Sequence, residues 1–152
     1  MFASPDYRIR QATIDDVPAL HRLVAELAAF VGESDAFTAT VEQYATDFRE
    51  GFYEALVAEN GEGHVFGMAL YVWVYSTWKG RMLYLEDFVL EPAYRRRGIG
   101  SAFWEALQEK GRGRGCKLMK WQIVESNVSA LEFYRSRGAE IEDTWLNGKQ
   151  WL

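Results

Sequence analysis

Cysteine and histidine are scarce in this chain of 152 residues. The single cysteine, Cys116, excludes a disulfide within the chain, and its place at the start of an apolar run predicts a buried structural thiol. The two histidines, His21 and His64, are far apart and belong to no cluster with ligand spacing, so we expect no metal. Neither a signal peptide nor an apolar run of membrane-spanning length is found, so we expect a cytoplasmic protein without a membrane partner.

Basic residues are also few, since the chain has 17 lysines and arginines and 22 aspartates and glutamates. The net charge of −5 argues against a general nucleic-acid binder, since neutralisation of phosphates supplies most of that affinity. An acidic surface suits a small cationic substrate. The hydrophobic fraction of 49% predicts a folded chain, and the length fits one domain over residues 1–152.

Hydrophobic periodicity divides the chain into alternating strands and helices. Strands are predicted at 7–12, 52–59, 64–76, 82–90 and 116–124, with the closing "KQWL" as a candidate last strand. Helices are predicted at 13–30, 41–48, 101–110 and 127–138. A hairpin meander followed by crossovers predicts an α/β fold with a mixed sheet and helices on both faces.

The segment "YRRRGIGS", residues 94–101, joins the fourth strand to the third helix. Free N–H groups and the dipole at a helix N-terminus favour an anion, glycines allow close backbone approach, and arginines add charged donors. The segment is neither a Walker loop, which needs Gly-Lys-Ser/Thr, nor a dinucleotide fingerprint, which needs a third glycine. Taken alone, it is either a diphosphate site or a solvated charged turn.

Two longer segments decide between these alternatives. "LEDFVLEPAYRRRGIGSAFWEAL" and the later "NVSALEFYRSRGA" resemble the GNAT superfamily of acyl-CoA-dependent N-acetyltransferases. The family pattern Arg/Gln-x-x-Gly-x-Gly/Ala is matched by Arg95, Gly98 and Gly100. The resemblance implies acetyl-CoA as co-substrate and a mostly antiparallel sheet of six to seven strands with helices on both faces.

The branch is indicated by "YLED", Tyr84 to Asp87, on the strand before the loop, and by the opening "YRIRQATIDDVPALHRLVAELAAF". Both are similar to the diamine and polyamine N-acetyltransferases of the spermidine/spermine and thialysine types. The resemblance implies direct transfer of the acetyl group to a small amine, in a ternary complex of a homodimeric enzyme whose acceptor cleft lies near the subunit contact.

Glu86 and Asp87 are the carboxylates on this strand. Because neighbouring side chains on a strand point to opposite faces, we expect only one of them to face the cleft directly. The resemblance implies Glu86 as the general base, acting through water, and Asp87 as a partner for the cationic amine. The alternative is that this charged pair serves only a sheet edge or a salt bridge.

The resemblance also implies a proton donor, a CoA site and further acceptor contacts. Tyr134 would protonate the CoA sulfur, and its alternative is a core tyrosine. The CoA contacts come from a bulged strand segment, the glycine loop and the later helix: Phe88, Val89, Leu90, Arg95, Arg96, Arg97, Gly98, Ile99, Gly100, Ser101, Asn127, Ser129 and Ala130. The acceptor contacts beyond Glu86 and Asp87 are Phe30, Trp78 and Gln122.

The match to the polyamine enzymes fails at two acidic positions, which are Val31 and Ser76 here, although Glu33 and Asp35 lie close by. Fewer anchoring charges favour a short diamine, a thialysine-like amino acid or another small amine over a long polyamine. Two rival functions remain: a GNAT enzyme for an amino acid, an aminoglycoside or a protein N-terminus, and a non-catalytic acyl-CoA-binding module.

Overall fold

The computed structural model describes residues 3–4 and 6–152, so residues 1, 2 and 5 of the predicted 1–152 domain lie outside the described residues. The chain forms two compact units, Met1–Gln122 and Ile123–Leu152. That the two units make up a single domain stays a prediction.

The first unit contains a sheet whose strands follow one another in chain order. The strands are β1 (Ala3–Ser4), β2 (Tyr7–Gln11), β3 (Glu54–Asn60), β4 (Val65–Ser76), β5 (Gly80–Leu90) and β6 (Leu118–Lys120). Each neighbouring pair is antiparallel except β5 and β6, which are parallel. The predicted mixed, mostly antiparallel sheet is therefore confirmed, with six strands in the described part of the chain.

Two strand predictions near the end of the chain are wrong. The apolar run at 116–124 pairs with β5 over only three residues, Leu118 to Lys120, because β6 is an edge strand with a single neighbour. The tail "KQWL", 149–152, has no regular structure. Cys116 is half-buried, whereas a fully buried thiol was expected.

The helices are α1 (Val17–Phe30), α2 (Val41–Glu50) and α3 (Ile99–Gly113) in the first unit and α4 (Val128–Ser136) in the second. Helix α2 begins with a capping box, in which Gln43 N–H donates to Thr40 Oγ1 at 3.2 Å and Thr40 N–H donates to Gln43 Oε1 at 2.7 Å. It ends at Gly51, whose φ of 76° is the left-handed conformation that favours glycine. These caps fix both ends of a short helix that buries no residue completely.

Alternation along the strands gives the sheet of the first unit two apolar faces. One face carries Val57, Met68 and Leu70 and packs against Leu20 and Leu23 of α1. The opposite face receives α3, whose Phe103 ring lies 5.4 Å from the ring of Phe88 and close to Gly67. A Cβ on Gly67 would lie 3.3 Å from Phe103 Cε2, so α3 packs where β4 has no side chain. Helices on both faces are thus confirmed for this unit.

Across the residues that the structure describes, no helix is both long enough and apolar enough to cross a membrane.

Candidate active site

A β-bulge interrupts the pairing of β4 with β5. Leu70 pairs with Asp87, but the next residue of β4, Tyr71, pairs with Leu85. Glu86 is therefore the extra residue of β5, with no partner of its own across the ladder. The resemblance implied a bulge in the strand that carries Phe88 to Leu90, and the structure confirms a bulge in that strand, at Glu86.

The bulge changes the direction of the acidic side chains. Glu86 and Asp87 line the same cleft, so the prediction that only one of them could face it is wrong. Strict alternation would have sent one carboxylate to each face of the sheet. The extra residue cancels one step of that alternation, because two residues of β5 then stand against one of β4.

We call this space the acidic cleft, and its volume is about 490 Å³. Its floor is the sheet, and its walls come from α1, from α2 and from the chain before and after α2. The apolar and aromatic lining consists of Val24, Ala36, Phe37, Ala39, Tyr44, Phe52, Tyr53, Leu70 and Val72. Its polar lining consists of Thr38, Asp47, Glu86 and Asp87.

Asp87 is half-buried, and burial together with the negative charge of Glu86 raises its pKa to about 6. In the described part of the chain, no lysine, arginine or histidine forms an ion pair with Asp87 or Glu86. The alternative in which the pair serves a salt bridge is therefore wrong for these residues. A carboxylate that is buried without a cation gains from any cation that enters the cleft.

Two tyrosines, Tyr44 and Tyr53, line the acidic cleft. Tyr53 Oη donates to the backbone carbonyl of Tyr44 at 2.8 Å, and the two rings stand edge to face at 5.9 Å. Burial, with the negative charges of Asp87 and Glu86, raises the pKa of Tyr44 far above its usual value. Burial and the charge of Asp47 raise the pKa of Tyr53 to about 12. Both phenols therefore stay neutral and present aromatic faces that can contact a cation.

The sequence reasoning missed Tyr44, Asp47 and Tyr53. Asp47 is exposed on α2, where it looks like an ordinary solvated helix residue. The one available signal was the density of aromatic residues between Phe37 and Tyr53, which is high for a helix with a polar outer face. The acceptor contacts predicted at Phe30, Trp78 and Gln122 are not part of the cleft lining.

The glycine loop follows β5 and leads into α3. Gly98 caps α3 with a φ of 79°, and a Cβ built on it would have no atom within 4 Å, so open space lies in front of this backbone. Arg96 also has a positive φ, 61°, which is uncommon for a residue with a side chain. Because α3 runs for 15 residues, its N-terminus carries a developed dipole beside this open space. The loop therefore fits the diphosphate of CoA.

The arginines of this loop differ in their surroundings. Arg95 Nε donates to the carbonyl of Leu90 at 3.0 Å, and its guanidinium lies 5.7 Å from the centre of the Phe30 ring. The Arg97 guanidinium lies 5.9 Å from the ring of Tyr94. Ile99 is buried and anchors the start of α3, whereas Gly100 and Ser101 are half-buried in its first turn.

In the second unit, Asn127 caps α4. Its side-chain oxygen accepts from Ala130 N–H at 3.3 Å and from Ser129 Oγ at 3.2 Å. The three predicted CoA residues of this segment therefore form one helix start. Tyr134, on the same helix, is 7% exposed. That burial agrees with either a core tyrosine or a phenol in a closed site, so its catalytic role stays a prediction.

Comparison with known proteins identifies the family. The family model for "Acetyltransferase (GNAT) family" matches residues 17–139, which is most of the chain. The chain therefore belongs to the GNAT acetyltransferase family.

The curated relatives include a thialysine N-epsilon-acetyltransferase of Bos taurus, 38% identical over 87% of this chain and 83% of the relative. A mouse protein of the same name, from Mus musculus, is 35% identical over 92% of this chain and 89% of its own length. A human spermidine/spermine N(1)-acetyltransferase-like protein, from Homo sapiens, is 34% identical over 93% of this chain but only 22% of that protein. These relatives confirm the predicted branch of the family.

Among solved structures, an aminoglycoside N-acetyltransferase in complex with CoA matches with a TM-score of 0.78. The match covers 99% of both chains at 17% sequence identity, so it shows the shared fold.

Proposed function

We propose that this N-acetyltransferase transfers the acetyl group of acetyl-CoA directly to a primary amine of a short diamine bound in the acidic cleft. The observation that carries the proposal is the bulge at Glu86, which turns two carboxylates without cationic partners into one cleft. The membership of the chain in the GNAT family supplies the reaction class.

The first chemical task is to remove a proton from the amine, whose pKa is about 10 when free, as for lysine. Glu86 is exposed at the cleft and serves as the general base, through water, while Asp87 holds the ammonium group. Burial and the charge of Glu86 raise the pKa of Asp87 to about 6, so an ammonium group bound beside Asp87 would stabilise its charged form.

In the first unit, the donor side is held by the glycine loop. The N–H groups around Gly98 and the side chain of Arg95 bind the diphosphate, with Arg96 and Arg97 adding charge. The family resemblance assigns the pantetheine arm to backbone groups of 88–90 and, considered separately in the second unit, to the cap at Asn127. CoA supplies the activated thioester, and Tyr134 donates a proton to its sulfur. A phenol of pKa about 10 gives up a proton slowly to a thiolate of pKa about 8.5, so Tyr134→Phe should slow turnover by about tenfold without abolishing it.

The lining of the acidic cleft favours an acceptor without a carboxylate. Of the described residues that line the cleft, three carry a carboxylate, namely Asp47, Glu86 and Asp87, and none is lysine, arginine or histidine. A second ammonium group would lie near Asp47 and the rings of Tyr44 and Tyr53. An α-carboxylate would meet only like charge there, which costs energy in a partly dry cleft.

A second candidate is a thialysine-like amino acid. It is favoured by the names of the relatives that are 35–38% identical to this chain. It differs from the diamine in one chemical group, the α-carboxylate, and so the two candidates can be compared on matched substrates.

The test compares 1,5-diaminopentane with lysine, which has the same amine chain plus an α-carboxylate. Wild-type protein is assayed with acetyl-CoA by release of free thiol. We expect kcat/KM to be at least about tenfold higher for the diamine, since about 1.4 kcal/mol of charge repulsion corresponds to a factor of ten. An equal or higher value for lysine establishes the second candidate, and no turnover of either compound overturns the proposed acceptor.

Asp47→Asn tests the distal end of the cleft. We expect the preference for the diamine over lysine to fall about threefold, because one of the three negative charges is removed. The matched control is Glu50→Gln, which removes an exposed carboxylate one turn further along α2 and outside the cleft lining. An equal change in both variants would show that only the overall charge matters.

We further propose that the enzyme is a homodimer. Tyr75, near the end of β4, is 72% exposed, and Trp78, in the turn between β4 and β5, is 79% exposed. Aromatic residues are enriched at subunit contacts. Sedimentation velocity at micromolar concentration tests this, and a monomer of 17.5 kDa would contradict it.

A further inference from the structure

The contact between Phe30 and Arg95 joins two parts of the predicted site that the sequence had assigned to different substrates. Phe30 is the last residue of α1 and was expected to bind the amine. In the structure its ring lies under the guanidinium of Arg95, at 5.7 Å from Cζ, and is not part of the acidic cleft. Arg95 is the first residue of the pattern that is matched to the CoA diphosphate.

Arg95 is held in place by two interactions. Nε donates to the carbonyl of Leu90 at 3.0 Å, and the guanidinium lies over the Phe30 ring, with Cζ 5.7 Å from the ring centre. Within the described residues, the two Nη groups of Arg95 donate to no protein acceptor. The arginine is thus oriented through one nitrogen and one face, while its two terminal nitrogens remain available for a bidentate contact with phosphate.

Helix α1 is also tied to the chain just before the loop. Arg22 donates to Glu91 Oε1 at 2.8 Å and to the carbonyl of Val65 at 2.7 Å. Because this contact fixes α1 beside the end of β5, the position of the Phe30 ring relative to the loop is set by the fold. Phe30 is 58% exposed, so a substitution there removes the contact with Arg95 and disturbs little of the buried core.

We propose that Phe30 is a positioning residue for the diphosphate of CoA, acting through Arg95, and that it does not select the amine. This inference rests on the proposed use of acetyl-CoA. An exposed stack of this kind contributes about 0.5 to 1 kcal/mol, which corresponds to a change of about two- to fivefold in affinity. Loss of an oriented guanidinium should weaken binding only of ligands that carry the diphosphate.

The experiment measures binding of CoA and of pantetheine, which lacks the diphosphate, by calorimetry on wild type, Phe30→Leu and Phe30→Tyr. We expect Phe30→Leu to weaken CoA about two- to fivefold and to leave pantetheine unchanged, and we expect Phe30→Tyr to bind CoA as wild type does. The same loss for both ligands, or no loss for CoA, would overturn the proposal.

Arg95→Gln supplies the second arm of the test. If Phe30 acts through Arg95, adding Phe30→Leu to Arg95→Gln causes no further loss of CoA affinity, whereas independent roles give additive losses. Steady-state assays then distinguish an effect on acetyl-CoA from an effect on the amine. Phe30→Leu should raise the KM for acetyl-CoA about two- to fivefold without changing the KM for the amine. A raised KM for the amine would show that Phe30 contributes to the acceptor site and would contradict the proposal. If wild-type protein did not bind CoA, that result would instead contradict the proposed function itself.

Discussion

Two pairs of carboxylates in the first unit meet opposite conditions. Asp16 and Glu59 are both buried, and both are held by Arg10, at 2.7 Å and 2.6 Å. Glu59 also pairs with Arg8. Burial alone would raise the pKa of Asp16, but its bonds to Arg10 and to Thr13 hold that pKa below its usual value. The hydrogen bond from Arg10 likewise lowers the pKa of Glu59.

Among the described residues, Glu86 and Asp87 have no such partner, and the pKa of Asp87 is raised to about 6. The difference lies in what each pair faces. The first pair is neutralised by arginines of β2 and ties β2, β3 and the start of α1 together, so it stabilises the fold. The second pair faces an open cleft and must obtain its cation from outside. The presence of an arginine partner, more than the degree of burial, distinguishes Asp16 and Glu59 from the two carboxylates of the acidic cleft.

The largest effect is expected from removing both charges of the cleft. The double substitution Glu86→Gln and Asp87→Asn should lower kcat/KM for a diamine by about a thousandfold, because it removes both the proposed base and the cation partner. Calorimetry with CoA should show unchanged affinity, since the glycine loop is untouched. Retention of more than a tenth of wild-type activity would show that the cleft is not the acceptor site.

The next effect concerns the other pair. Asp16→Asn should lower the free energy of unfolding by about 3 kcal/mol, because it leaves the half-buried Arg10 with one carboxylate where it had two. Urea unfolding measures this change, and kcat/KM per folded molecule should stay at the wild-type value. A large loss of activity with unchanged stability would break the distinction between the two pairs.

The pH dependence of stability provides a smaller and more specific effect. The pKa of Asp87 is raised from 3.8 to about 6, so folding disfavours its charged form. Wild type should therefore lose stability relative to Asp87→Asn as the pH rises from about 4 to about 6, by about 3 kcal/mol in total. Relative to Asp16→Asn, wild type should instead gain stability as the pH rises. The reason is that the pKa of Asp16 is lowered in the folded protein, so the stability it provides is lost as the pH falls. Equal pH profiles for Asp87→Asn and wild type would contradict the raised pKa.

Much of the fold could be predicted from the sequence because its signals are local. Alternating and helical periodicity identified the elements, and the spacing of Arg95, Gly98 and Gly100 identified the loop that leads into α3. Those features depend on residues a few positions apart. The same holds for the Asn127 cap, whose partners are two and three residues away.

The arrangement of the acidic cleft could not be predicted in the same way. The bulge at Glu86 depends on the register of β4 against β5, which is set by packing over both strands. Asp47 joins the site only because the fold brings α2 to the cleft. The extent of β6 also depends on pairing, since an apolar run at a sheet edge can pair over only part of its length.

The most direct test of this account is the pKa of the Asp87 carboxyl group, measured by carbon-detected NMR titration with and without 1,4-diaminobutane. In the free protein, Asp87 should titrate near 6, because burial and Glu86 disfavour its charge. With the diamine present, an ammonium group beside the carboxylate should lower that pKa by about one unit or more. The same pKa in both titrations, at a diamine concentration that saturates turnover, would contradict the assignment of the acidic cleft as the acceptor site.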